Sequence, residues 1–243
     1  MFDHNAFLVT SGNSQVGELQ KTLQRCGVEG AFVSSLDAIR DSSPSAGNAA
    51  LLNQIATYKN LRAVSVFNPL ASTSQWPSRG REECEKINIR LAPVYHGYTL
   101  EEPRLAEGLK KISPERVFIT VQLRDPRNQR NRPIVPDLPV EGLVSLAHRF
   151  PEIDFIVNGI SGTAIQKIIK EWATCENLLM DCTLLDGADS LGDWGTYGRE
   201  GKLLFGSGQP IHYPEAARLK FELWSLAPPL LLTKLQSFSD LNS

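Results

Sequence analysis

The sequence predicts a (β/α)8 TIM barrel, a single domain over residues 1–243. Three observations carry that prediction. Eight short apolar, strand-like segments alternate with eight segments of helical period. Such alternation makes parallel strands, because each crossover is a helix. Eight units in 243 residues also match the size of a closed barrel. Finally, the first strand runs into NAFLVTSGNSQ, which has a single glycine. An open doubly wound sheet usually carries a glycine-rich phosphate turn at that point.

The elements follow in order. Strand one is MFDHNAFL at 1–8, and the helix over 16–27 is stopped by Gly27 as a C′ glycine would stop it. Strand two, GAFVSSL at 30–36, leads to a helix over 48–60. Strand three at 61–68 precedes a helical pattern at 78–87, and strand four at 88–95 precedes one at 100–112. Strand five is RVFITVQLR at 116–124. The helix over 139–150 starts at Pro139-Val140 and lines up Leu143, Leu146 and Ala147. Strand six at 153–159 precedes a helix over 162–175 with Ile165, Ile168 and Ile169 on one face. Strand seven at 177–185 and strand eight at 202–208 enclose a short helical segment at 190–201, and a last helix spans 215–226.

Bulk properties exclude several function classes. The formal charge of −2 is not that of a nucleic-acid-binding domain, and the basic cluster LRDPRNQRNR at 123–132 is read as a solvated loop. Four cysteines, Cys26, Cys84, Cys175 and Cys182, show neither disulfide-scaffold nor zinc spacing. The longest apolar run, LAPPLLL at 226–232, holds two prolines and is too short to span a membrane. The N-terminus shows no basic segment followed by a long apolar one, so a cytoplasmic protein is expected.

In a barrel of this kind, chemistry sits at the C-terminal strand ends and alternate side chains face inward. On strand five, Val117, Ile119, Val121 and Leu123 form the apolar face that suits the helix layer. Thr120, Gln122 and Arg124 therefore face inward. The same phase gives Asp3 and Asn5 on strand one and Ser35 on strand two. It gives Arg90 on strand four, Asn158 on strand six, Asp181 and Thr183 on strand seven, and Gly208 on strand eight. His4 falls in the outward phase, and Cys182 on the helix-facing side. His96 and His212 fall in loops above strands four and eight, and His148 lies in a helix far from the mouth.

Four stretches resemble the amidohydrolase-related proteins, the metal-dependent-hydrolase type of TIM barrel. FDHNAF is similar to the family's opening D-x-H-x-H strand, and IRLAPVYHGYTLEEP to its fourth-strand segment. RFPEIDFIVNG is similar to its sixth strand. LLFGSGQPIHYPEAA is similar to its eighth, which usually ends G-S/T-D-x-P. The resemblance spans nearly the whole chain. It implies a distorted barrel that binds one or two divalent metals and activates water for hydrolysis, or sometimes decarboxylates.

The departures fall at the ligand positions that the resemblance implies. The two strand-one histidines become Asn5 and Phe7, and the strand-four lysine becomes Arg90. Gln122 and Asn158 stand at the histidines of strands five and six, and Gly208 stands at the eighth-strand aspartate. A catalytic divalent site needs at least three imidazole or carboxylate ligands. No metal and no cofactor is therefore expected.

The leading reading is a barrel that binds a small organic acid at its C-terminal mouth. Arg90 and Arg124 would be the anion partners, since guanidinium forks suit carboxylates. Asn5, Gln122, Asn158, Thr183 and His212 complete the binding candidates. A second reading is a metal-independent lactonase of the pyrone-dicarboxylate type. There Asp3 or Asp181 would activate water, while Arg90, Arg124 and His96 polarise the carbonyl. A third is a non-catalytic barrel used as a binding scaffold. Ser207, His212 and Asp181 could be drawn as a triad, but no nucleophile-elbow motif accompanies them. The expected partner is a small molecule rather than a nucleic acid or a membrane, with self-association left open.

Overall fold

The computed structural model describes residues 1–12, 15–77, 87–123, 135–185 and 202–225. The helical segments expected at 78–87 and 190–201 lie, but for Ile87, outside the described residues, and so does Arg124. The strands are β1 (Phe2–Leu8), β2 (Gly30–Ser35), β3 (Leu61–Ala63), β4 (Ser65–Phe67), β5 (Asn88–Leu91), β6 (Arg116–Thr120), β7 (Asp154–Asn158), β8 (Leu178–Asp181) and β9 (Leu203–Leu204). The helices are α1 (Val16–Arg25), α2 (Leu36–Arg40), α3 (Ser45–Ile55), α4 (Pro93–His96), α5 (Pro103–Ile112), α6 (Glu141–Arg149), α7 (Gly162–Ile165), α8 (Ile169–Thr174) and α9 (Pro214–Ser225).

Every paired strand is parallel, in the orders β1-β2-β3 and β4-β5-β6-β7-β8-β9. β3 and β4 are one strand interrupted at Val64, so the segments occupy eight strand positions, as the sequence predicts. Val64 N donates to Val33 O at 2.8 Å, and Ser34 Oγ donates to Val64 O at 3.0 Å, which carries the pairing across the interruption. At β4 the Asn48 amide acts as a strand edge. Its Nδ2 donates to Val66 O and its Oδ1 accepts from Val66 N, both at 2.8 Å. The circle closes between β1 and the β9 strand end. His4 N donates to Phe205 O (2.8 Å), Gly208 N to Asn5 O (2.7 Å), and Phe7 N to Gln209 O (2.8 Å).

Several boundaries differ from the sequence reading. Strand four ends at Leu91, because Pro93 starts α4 at its first turn. The 162–175 helix is two pieces, α7 and α8, separated at residues 166–168. An additional helix, α2, follows β2 directly, capped by Ser35 Oγ accepting from Ala38 N at 3.1 Å.

The core has three levels. Outward-facing strand residues such as Val33, Leu91, Val117, Ile119, Val157 and Met180 pack against α1, α3, α5, α6 and α8. Inside, a lower layer holds Phe32, Phe118, Ile156, Leu179 and Leu204 with Val64. An upper layer holds Phe7, Leu36, Ile39, Val66, Leu123 and Ile211. Between the two lies a polar level, reached by counting two residues up from each lower-layer side chain. Ser34 follows Phe32, Thr120 follows Phe118, Asn158 follows Ile156, and Asp181 follows Leu179. Strand β1 departs from this period. Its register against β2 shifts between Asp3 and Ala6, so one residue is extra.

Closure through β1 generates a prediction. Deleting residues 1–8 removes every hydrogen bond between β1 and the β9 strand end and exposes the facing edges of β2 and β9. The truncated chain is expected to lose its cooperative thermal transition, followed by near-UV circular dichroism. A sharp melt in that variant would rule out a closed barrel.

Candidate functional site

The polar level is organised around Arg90, whose side chain is fully buried. Its Nε donates to Ser34 Oγ at 2.7 Å. Its Nη1 lies within hydrogen-bond distance of Asn5 Oδ1 (3.3 Å), Thr120 Oγ1 (3.0 Å) and Asn158 Oδ1 (3.0 Å). Nη2 has no hydrogen-bond partner among the described residues. The guanidinium lies between two aromatic rings, with its Cζ 4.8 Å from the Phe7 centroid and 5.4 Å from that of Phe118. Five strands, β1, β2, β5, β6 and β7, thus contribute one polar side chain each.

Asp181 sits beyond Asn158. Asn158 Nδ2 donates to Asp181 Oδ2 at 2.9 Å while its Oδ1 accepts from Arg90, so one amide joins cation to acid. Thr183 Oγ1 lies 2.8 Å from Asp181 Oδ2, and the backbone N–H groups of Gly159 and Thr183 donate to Oδ1, each at 3.2 Å. Asn5 Nδ2 donates to Thr183 Oγ1 at 3.1 Å and closes the ring. Burial pulls the Arg90 guanidinium down to about 9, against the pull of Asp181 and Asp3. It therefore remains a cation at neutral pH. Burial raises the Asp181 carboxyl above its ordinary range, and its hydrogen bonds to Thr183, Asn158 and Gly159 oppose that shift.

The structure gathers Asn5, Arg90, Asn158, Asp181 and Thr183 into this ring. The other candidates have separate surroundings. Asp3 is not in the ring but at the closure seam. Its Oδ2 accepts from Ser207 Oγ at 2.5 Å, and its Oδ1 accepts from the N–H of Ser207 (3.0 Å) and of Asn5 (2.9 Å). Its carboxyl too is raised by burial. Gln122 braces a loop, with Nε2 donating to Val135 O at 2.5 Å and Oε1 accepting from Tyr95 OH at 2.6 Å. His96, expected above the mouth, packs instead beside Tyr98 and the end of α2. Burial lowers its imidazole, while the backbone of Ala38, Ile39 and Asp41 raises it. His212 Nε2 lies 2.7 Å from Leu123 O. A carbonyl only accepts, so that nitrogen carries the proton.

Two strand phases need correction, while the eighth strand keeps its phase but presents Gly206 to the ring. His4 points inward, not outward, and packs against Phe32 with centroids 5.2 Å apart and the rings tilted by 32°. The extra residue in β1 lets His4 and Asn5 both face the interior. On β2 the inward residue is Ser34, while Ser35 caps α2 and meets Thr10 Oγ1 at 2.7 Å. Ser34 was missed because strand two offers adjacent serines, although counting two from Phe32 identifies it. On the eighth strand the glycine facing the ring is Gly206, where an added Cβ would lie 2.5 Å from Asp181 Oδ2. Gly208 has φ +66°, and a Cβ there would stand 2.7 Å from both His212 Cδ2 and Thr183 Cγ2. An aspartate at 208 would be strained and crowded.

The ligand set of a divalent metal does not fit this interior. The implied positions hold amides, an aromatic ring, a guanidinium and a glycine, and the central charge is already a fixed cation. Among the described residues no group of three or more His, Cys, Asp or Glu side chains could hold an ion.

Solved structures of low sequence identity share this architecture. One is a probable 2-pyrone-4,6-dicarboxylic acid hydrolase from Acinetobacter baumannii with citric acid bound. It has TM-score 0.63 and 14% identity, covering 98% of this chain and 97% of that one. Another is an uncharacterised TIM-barrel protein from Bordetella bronchiseptica, with TM-score 0.63 and 14% identity over 99% and 98%. A third is 5-carboxyvanillate decarboxylase from Sphingomonas paucimobilis, with TM-score 0.62 and 9% identity over 91% and 92%. At these identities the likeness shows the fold alone, a TIM barrel. No protein-family model matches the chain, and no curated protein matches it. No helix among the described residues is long and apolar enough to cross a membrane.

The inward histidine yields a pH prediction. Burial and the nearby Arg116 charge lower His4 from 6.5 to about 4. Between those values the unfolded chain binds the proton and the folded chain does not, so stability falls as pH drops from 6.5 towards 4. The full loss is about 3 kcal/mol at 1.36 kcal/mol per decade. His4→Phe should lack this loss, gaining relative to wild type by about 2–3 kcal/mol between pH 7 and pH 4.5 in urea melts. The raised Asp3 and Asp181 carboxyls act in both proteins and cancel. Parallel pH profiles would mean that His4 is not buried as a neutral ring.

Proposed function

We propose that this chain is an amidohydrolase-type barrel without the family's metal site, binding a small organic acid at the C-terminal mouth. Arg90 is the anion partner, and Arg124, which lies outside the described residues, is its companion. The observation that carries this reading is the state of Arg90. It is a fully buried cation with no carboxylate in ion-pair contact among the described residues, and its Nη2 lacks a hydrogen bond. Its hydrogen-bond partners Ser34, Asn5, Thr120 and Asn158 are all neutral. A carboxylate, which only accepts, supplies what such a donor lacks. The names of two similar structures, for a pyrone dicarboxylic acid and a carboxyvanillate, agree with a carboxylated ligand.

One observation favours a second reading, a non-catalytic scaffold. Phe7, Val66, Leu123 and Ile211 fill the interior above Arg90. The lactonase-type reading has less support, since Asp3 is bonded to Ser207 and His96 rests against α2. Neither is presented to a substrate beside Arg90.

Two measurements separate these readings. Elemental analysis of untagged protein should find far less than one zinc, manganese or iron per chain. Stoichiometric metal lost on Asp181→Asn would overturn the metal-free part. In thermal melts, citrate or a pyridine dicarboxylate at about 100 times its Kd should add about 2.7 kcal/mol, or roughly 5–10 °C for a chain of this size. Arg90→Met should abolish that shift. Indifference of the wild type to all such acids would leave the scaffold.

A further inference from the structure

We propose that a small ring carboxylate reaches Arg90 through the groove between α1 and the β9–α9 loop. There Gln209 is its second hydrogen-bond donor and the Phe7 ring is the partition it displaces. The inference rests on the reading of Arg90 as an anion site and adds the route, a specificity residue and the ligand's size.

The groove encloses about 220 Å³. Leu19 and Thr22 of α1 line one side, and Gln209, Pro210 and Tyr213 line the other. Phe7 is among the residues that line it, and its ring stands 4.8 Å from Arg90 Cζ. One residue is therefore common to the groove and to the surroundings of the guanidinium. Most of its neighbours in the upper layer are aliphatic, and leaving them and the face of Arg90 breaks no hydrogen bond.

The two structures that Phe7 joins have a shared deficit. Gln209 is 5% exposed, and its Nε2 has no hydrogen-bond partner among the described residues. Arg90 Nη2 is in the same condition. Both are N–H donors, so their common complement is a group with at least two acceptors and no donor. An ionised carboxylate is that group. The charges along the groove do not oppose it. Glu215 is paired with Arg25 at 2.5 Å, and Glu18 with Lys21 at 2.8 Å.

The volume sets the size. An apolar cavity of about 150 Å³ accepts benzene, so about 220 Å³ admits one six-membered ring with its carboxylates. Tyr213, 78% exposed, and Pro210 offer flat apolar faces to such a ring.

The test is calorimetric and stopped-flow binding of pyridine-2,4-dicarboxylate to the full chain. Wild type should bind, and Gln209→Leu should weaken binding about tenfold. Phe7→Leu should raise the association rate at least fivefold, because a smaller partition moves more easily. Thr22→Trp, on the solvent side of α1 and remote from Arg90, should slow association by a similar factor, and it keeps the test open where a core variant fails to fold. If wild type binds and Arg90→Met does not, while Gln209→Leu, Phe7→Leu and Thr22→Trp all match wild type, the acid site stands and the groove route is wrong. If neither wild type nor Phe7→Leu binds, the acid site falls with it.

Discussion

Moving a guanidinium from water into a protein interior costs several kcal/mol even after relaxation, and Arg90 has made that move completely. Hydrogen bonds from a charged group return roughly 1.5–3 kcal/mol each. Ser34, Thr120, Asn158 and Asn5 supply the acceptors, each from a different strand. That requirement orders the interior. The strands must hold these four side chains at one height, and the lower and upper apolar layers must seal the level from both sides. Two aromatic rings, Phe7 and Phe118, meet the faces of the guanidinium that hydrogen bonds cannot reach.

The aspartates take their places from the same constraint. Asp181 is close enough to favour the cation but is held off by Asn158, whose amide satisfies both partners. Asp3 faces the closure seam, where it accepts from the Ser207 hydroxyl and N–H and so joins β1 to the eighth strand position. A metal site of the usual kind would need imidazoles and carboxylates converging on one point. Here, among the described residues, a side chain brings the positive charge and neutral acceptors surround it.

Much of the fold was legible in the sequence because it rests on period. Strand and helix alternation fixed the architecture, and the alternation of RVFITVQLR predicted which face of strand five is polar. Arg90, Asn158, Asp181 and Thr183 follow from the same count. The failures have physical causes. An inserted residue in β1 breaks the two-residue period, so His4 was placed on the wrong face. The adjacent serines of β2 look alike to a pattern, yet one holds Arg90 and the other caps α2. His96 was assigned from its loop position, but α4 folds it back against α2. Gln209 carried no signal at all, since an unsatisfied donor exists only once its neighbours are placed.

The extra residue in β1 also acts as a phase shifter between two halves of one strand. Below it the inward residues are even-numbered, Phe2 and His4. Above it they are odd-numbered, Asn5 and Phe7. The lower half is thereby committed to the apolar base while the upper half is free to carry polar or ligand-facing groups. Anyone grafting new chemistry onto this strand must count from Asn5 upward. Removing the extra residue would restore plain alternation: Phe7 would stay at the axis, but only one of His4 and Asn5 could face inward, so shortening this strand loses either the ring against Phe32 or the acceptor for Arg90.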